Sequence, residues 1–209
     1  MSASFILSTK GDEAILDRPM VALLCSAKCP GKLILGTYDL AKMFRKRGIT
    51  VISGFHSPME EECLRILLRS QYPAVWCLAR GMFKRIPTKP MDCRTAVAEG
   101  RLLIISPFKD NIHQITTKTA VARNRVVADL ATVVVVAHAS PRSKNESLAM
   151  DLLAAGKSVY TFDHSANATI LNYGAKNIDK LDFTAAGFGC PQVADLEVPV
   201  TIRKEKSKD

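Results

Sequence analysis

The run Thr132–Ala137 (TVVVVA) constrains the fold more than any other stretch of the chain. It is apolar and largely β-branched without alternation, so neither face of such a strand can be turned to water. An interior strand of a parallel sheet, covered by helices on both sides, satisfies that pattern. The segment before it adds a second constraint. Lys118–Leu130 has helical periodicity, and at about 100° per residue Ala120, Val126, Val127 and Leu130 share one side. Arg123 falls in the middle of that apolar side, and Arg125 points nearly opposite.

An unpaired guanidinium inside a core is very costly. Two arrangements resolve it. One is an internal carboxylate partner such as Asp110 or Asp129. The other is position: near the helix start the stripe runs out over the carboxyl edge of the sheet, where open α/β folds keep their ligand crevice. Arg123 and Arg125 would then oppose the helix dipole, and an anion, most naturally a phosphate, would offset both.

Elsewhere short apolar strands alternate with helical segments. Val21–Cys25, Ile49–Ser53, Ala74–Leu78, Leu102–Ser106 and Ser158–Phe162 read as strands. Leu35–Arg47, Pro58–Ser70, Met91–Glu99, a segment ending at Ala155 and Asn167–Tyr173 read as helices. Such alternation predicts a Rossmann-like, doubly wound, mostly parallel sheet in three α/β/α layers, with right-handed crossovers. Residues 1–18 are expected to be a lead-in packed on an edge, 19–182 the main domain, and 183–209 an extension ending in the charged tail Lys204–Asp209.

In a parallel sheet the loops that follow the strands share one edge. Ser26 and Lys28, Ser53-Gly54, Lys84 and Arg85, Arg123-Asn124-Arg125 and Ser143-Lys144-Asn145 all follow different strands. Hydroxyls, free amides and cations converging there suit a nucleotide phosphate or a phosphodiester. A formal net charge of +9 points the same way, to an anionic partner with nucleic acid as the leading class.

Other chemistries lack their residues. No GxGxxG follows the first strand, and neither a GxxxxGK[ST] run nor a GxSxG elbow is present, so no cofactor is assigned. Cys25, Cys29, Cys63, Cys77, Cys93 and Cys190 are scattered without a CxxC pair, which gives no metal site and suggests reduced thiols in the cytoplasm. His56, His113, His138 and His164 share no ligand spacing and have no evident orienting carboxylate, so no catalytic residue is assigned. Glu60, Glu61 and Glu62 follow Pro58 at a helix start, where acids complement the dipole. No apolar run approaches the roughly 20 residues that span a bilayer.

The RNR run ahead of VVVVA resembles the DprA/Smf DNA-processing family in its Rossmann-like domain. VALLCSAK resembles the family's strand-plus-GSR opening, GITVISGF its G-x-x-V-V-S-G strand, LAMDLLAAGKSVYTF its later helix and strand, and NATILNYGAKNI its N-x-L-I-x-x-G-A helix. The match runs in order over about residues 19–178. It implies single-stranded DNA binding at the carboxyl edge, with Ser26, Ser53, Gly54, Arg123, Asn124 and Arg125 as contacts. A RecA-type recombinase partner and a homodimer also follow from the resemblance. Departures are local. Cys25 and Ala27 stand where the family has the glycine and arginine of GSR, and the S-G-x-A-x-G pattern reads Ser53-Gly54-Phe55-His56-Ser57-Pro58. The wider superfamily, which includes the LOG phosphoribohydrolases and nucleotide-sensing SLOG domains, places nucleotides in this crevice. The PGGxGTxxE run of LOG enzymes is absent. The leading expectation is therefore a minimal domain that binds single-stranded nucleic acid without catalysis. A small-nucleotide sensor or phosphoribohydrolase, with one of Glu60–Glu62 as the acid, is the alternative.

Overall fold

The unbroken apolar run lands where its pattern requires. In the computed structural model, which describes residues 6–88 and 93–188, β6 (Val133–His138) lies inside the sheet with each of its residues buried. Val133, Val135 and Ala137 join the core on one face, and Val134 and Val136 join the core on the other. Burying a valine fully contributes about 1.5–3 kcal/mol. A charge at any of these positions would have no solvated side to turn to.

The other strands are β1 (Ser8–Lys10), β2 (Met20–Cys25), β3 (Thr50–Ser53), β4 (Ala74–Cys77), β5 (Leu102–Ser106), β7 (Val159–Thr161) and β8 (Lys176–Asn177). Their spatial order is β1-β5-β4-β3-β2-β6-β7-β8. Every pairing is parallel except that of β1, which runs antiparallel to β5. Helices α1 (Gly31–Lys46), α2 (Pro58–Leu67) and α3 (Cys93–Ala98) pack on one face, and α4 (Thr117–Leu130), α5 (Lys144–Ala154) and α6 (Ala168–Asn172) on the other. The protein is thus the three-layer, mostly parallel α/β fold that the alternation predicts.

Strands are added outward from β2 in both directions, so the order reverses between β2 and β6. Loops on either side of that reversal diverge and leave a crevice beyond the carboxyl ends.

Several boundaries differ from the sequence reading. α1 begins at Gly31 rather than Leu35, with Pro30 as its N-cap; Pro30-Gly31 reads as a turn, yet a fixed φ is already suited to a helix entrance. α2 ends at Leu67 and is closed at its start by a reciprocal Ser57–Glu60 capping box. β8 is too short to show a period. β1 pairs on the β5 edge and is followed by a 3-10 turn over Glu13–Asp17 that buries Ile15. Phe183 sets its ring edge against Phe44, 6.0 Å between centroids. The tail Lys204–Asp209, Cys190 and the expected helix start at Met91 lie outside the described residues. Among the described residues, no helix is long and apolar enough to cross a membrane.

Candidate nucleic-acid interface

The crevice at the reversal has a volume of about 370 Å³. Its walls come from the loops after β2, β3 and β6 and from the inner side of α4. A register irregularity between Leu24 and Cys25 sets the first wall. The Ser26 amide donates to the His138 carbonyl at 2.9 Å, and its Oγ accepts from the Ser140 amide at 3.0 Å. Ser143 Oγ lies 3.5 Å from Ser26 Oγ and also caps α5 by accepting from the Glu146 amide at 3.2 Å. The first amides of α5 have no acceptor within the helix. They, the serine hydroxyls and the positive end of the α5 dipole therefore share one wall.

Arg123 forms the floor. It is only 5% exposed. Its Nε donates to Asn124 Oδ1 at 2.7 Å and its Nη1 to the Cys77 carbonyl at 3.2 Å. Asn124 Nδ2 donates in turn to Asn145 Oδ1 at 2.9 Å, which ties α4 to the first turn of α5. A guanidinium has five N–H donors, and these two are the ones matched among the described residues. Neither Asp110 nor Asp129 pairs with it; the carboxylate that acts on it is Glu60, across the crevice. Burial pulls the Arg123 pKa down from its ordinary value, and Glu60 opposes that shift.

Gly54 makes this arrangement possible. A Cβ there would stand 1.5 Å from Arg123 Nη1 and 1.9 Å from Cζ. The next residue, Phe55, has a left-handed φ of 41°, and Arg142 in the loop after β6 has a φ of 59°. These are the non-glycine residues with such backbone among the described residues. Each conformation costs on the order of 1–3 kcal/mol and persists only where the surroundings over-determine it. Both lie in the crevice loops.

The sequence-derived contacts divide as follows. Ser26, Lys28, Arg123, Asn124, Ser143 and Lys144 line the crevice together. Ser53 does not: it is wholly buried, and its Oγ donates to the Leu23 carbonyl at 2.7 Å. Gly54 gives space to the arginine, while its carbonyl accepts from Trp76 Nε1 at 2.9 Å. Arg125 pairs with Asp151 on the outer surface at 2.7 Å, because two residues along a helix turn the side chain through about 200°. Lys84 lies beside β4 and β5, in a separate cavity with Arg80 and Phe83. Arg123 does not oppose a helix dipole as the sequence leads one to expect. α4 begins at Thr117, beyond the sheet edge, so Arg123 is about two turns in and opposes no helix start.

Of the three glutamates, Glu60 alone lines the crevice. Its Oε2 accepts from the His56 and Ser57 amides, each at 3.0 Å, so it closes α2. Ser140 and Asn145 complete the walls; nothing in the spacing of HASPRSKN singles out the first of these. Below them runs a buried network that no local pattern reveals. Asn167 Nδ2 donates to the Ala137 carbonyl at 3.1 Å and to Thr161 Oγ1 at 2.8 Å. Its Oδ1 faces His138 Nδ1 at 3.0 Å, and His138 Nε2 faces Ser140 Oγ at 3.3 Å. Asn167→Ala leaves those groups unmatched and is expected to lower stability by about 1–3 kcal/mol, read as an earlier urea midpoint. An unchanged midpoint would mean that the network does not support the loop after β6.

Burial pushes the thiols of Cys63 and Cys77 up to about 12 and that of Cys25 higher still, so none offers a thiolate near neutrality. Among the described residues, no three His, Cys, Asp or Glu side chains are placed to hold a metal ion.

Comparison with known proteins agrees with the fold. No curated protein sequence matches the chain. Among solved structures, DNA processing protein A from Helicobacter pylori, described for its single-stranded DNA binding mode, matches with TM-score 0.69 and 22% identity over 82% of this chain and 81% of that one. The Streptococcus pneumoniae protein of the same name matches with TM-score 0.68 and 20% identity over 82% of this chain, which spans 62% of the pneumococcal chain. A molybdenum cofactor binding protein from Rippkaea orientalis shares the fold more distantly, with TM-score 0.51 and 13% identity over 77% of this chain and 88% of that one. The model of the DNA recombination-mediator protein A family matches residues 1–182, which takes in every strand of the sheet and every wall of the crevice, and the chain belongs to that family.

Proposed function

We propose that the crevice holds the sugar-phosphate backbone of single-stranded DNA and performs no chemistry on it. The carrying observation is Arg123, a buried guanidinium with unmatched donors on the floor of an open crevice. A phosphate over it would accept from the guanidinium, from Ser26 or Ser143 Oγ, and from the first amides of α5. Lys28 and Lys144 flank that position and would act on the neighbouring phosphates. Such contacts fix register without reading bases, so the affinity would tolerate any sequence. The single-stranded DNA binding of the Helicobacter pylori relative supports the same reading. A homodimer and a recombinase partner, which the family implies, would build on this site.

A salt titration tests it. On single strands the logarithm of affinity falls with that of salt by roughly 0.7 per neutralised phosphate. With Arg123, Lys28 and Lys144 engaged, the expected slope is about −2. A flat response would overturn the proposal. The presence of Glu60 in the same crevice keeps a nucleotide reading in play. That reading expects mononucleotides to bind as tightly as oligonucleotides, and an enzyme would release free base in a reaction that Glu60→Gln abolishes.

A further inference from the structure

The basic run after β4, RGMFKR, lies outside the crevice yet is built with care. Lys10 Nζ donates to the carbonyls of Phe83 at 2.6 Å and Lys84 at 3.2 Å. Ser106 Oγ donates to the Arg80 carbonyl at 2.7 Å. The Gly81 amide donates to the Ile112 carbonyl at 2.7 Å, and a Cβ on Gly81 would come within 2.5 Å of the Lys109 carbonyl oxygen. A loop pinned from β1, β5 and the segment before α4 is preorganised.

Beside it lies a cavity of about 470 Å³ whose lining includes Lys10, Arg80, Phe83 and Lys84, with Asp110 as its one carboxylate among the described residues. The Arg80 guanidinium stands over the Phe83 ring, 5.6 Å from the centroid, and its buried Nε has no hydrogen-bond partner among the described residues. Trp76 meets the same ring with centroids 5.5 Å apart and planes at 58°. Planar cation and aromatic groups beside an open, mainly cationic cavity match a site for a planar, electron-rich ring attached to an anion. A nucleobase in a single strand has that chemistry.

A chain of contacts links the two sites. Arg123 rests against Gly54, the Gly54 carbonyl accepts from Trp76, and Trp76 touches Phe83. β4 lies two strands from β2, about 10 Å along the sheet edge. We propose that the Arg80–Phe83 cavity is a base-stacking subsite for a nucleotide adjacent to the one whose phosphate sits over Arg123, with Lys84 on its phosphate. This rests on the crevice reading and adds to it a preference for strands that carry bases.

The test compares a short single-stranded DNA with an abasic strand of equal length, which keeps the phosphates and removes the rings. The wild-type protein is expected to bind the natural strand about tenfold more tightly, the usual order for one stacked base. Phe83→Ala, and Phe83→Leu as a variant that keeps the bulk, should erase that difference while leaving affinity for the abasic strand unchanged. Trp76 is the chain's single tryptophan, and its fluorescence should respond to the natural strand and not to the abasic one. Equal wild-type affinity for the two strands, or a preference that survives both variants, would overturn the subsite while leaving the crevice reading intact. Binding to neither strand would overturn both.

Discussion

Arg123→Met is expected to leave the protein folded while removing most of its affinity for single strands. The binding loss should be about 2–5 kcal/mol, the usual cost of removing one partner from a desolvated, hydrogen-bonded charge pair. That is a drop of about 30-fold to several-thousand-fold. Stability should follow a different course. Methionine has a similar reach, and removing the charge also removes the cost of burying it. Against that stand two lost hydrogen bonds, at the Cys77 carbonyl and at Asn124 Oδ1. Glu60 keeps its two backbone donors and is not orphaned. Parallel urea unfolding and strand titration check the outcome. A variant that stays folded and binds normally would remove Arg123 from the site.

The second large effect is expected from the smallest change, Gly54→Ala. The added methyl group would stand 1.5 Å from Arg123 Nη1, so the guanidinium must move or β3 must shift. Overpacking of this kind costs about 1–3 kcal/mol of stability. Displacing the guanidinium should cost binding as much as Arg123→Met does. The two changes should also be strongly non-additive, because contacting residues couple. Once residue 123 is methionine, alanine at 54 should reduce binding no further. Affinities of the two single variants and the double variant check this. Full additivity would mean that Gly54 serves binding through something other than making room for the arginine.

Much of the fold is legible in the chain. The TVVVVA run specifies a strand covered on both faces, and its neighbours' alternation with helices specifies the layers. Arg123 on an apolar stripe demands either an internal carboxylate or a crevice, and the structure places it in a crevice. The remainder depends on lateral order, which no one-dimensional period carries. Lys84 and Ser26 both follow strands, yet β4 and β2 are separated by β3, so the two residues serve different cavities. Ser53 sits at the right place along its strand, but its hydroxyl is engaged by Leu23 inside the sheet. The support from Asn167 reaches His138 across 29 residues of sequence, beyond any local pattern.

Because the order of strands reverses between β2 and β6, the crevice borrows from residues as distant as Ser26 and Asn145. No contiguous half of the molecule owns it. A nascent or nicked chain that has assembled only one side of the sheet therefore lacks a complete crevice. If the crevice holds a strand as proposed, occupancy and completion of the fold become one linked equilibrium, in which a bound strand favours the fully assembled molecule. On the proposed reading, a grip on DNA is complete only once β6 and α5 have docked beside β2.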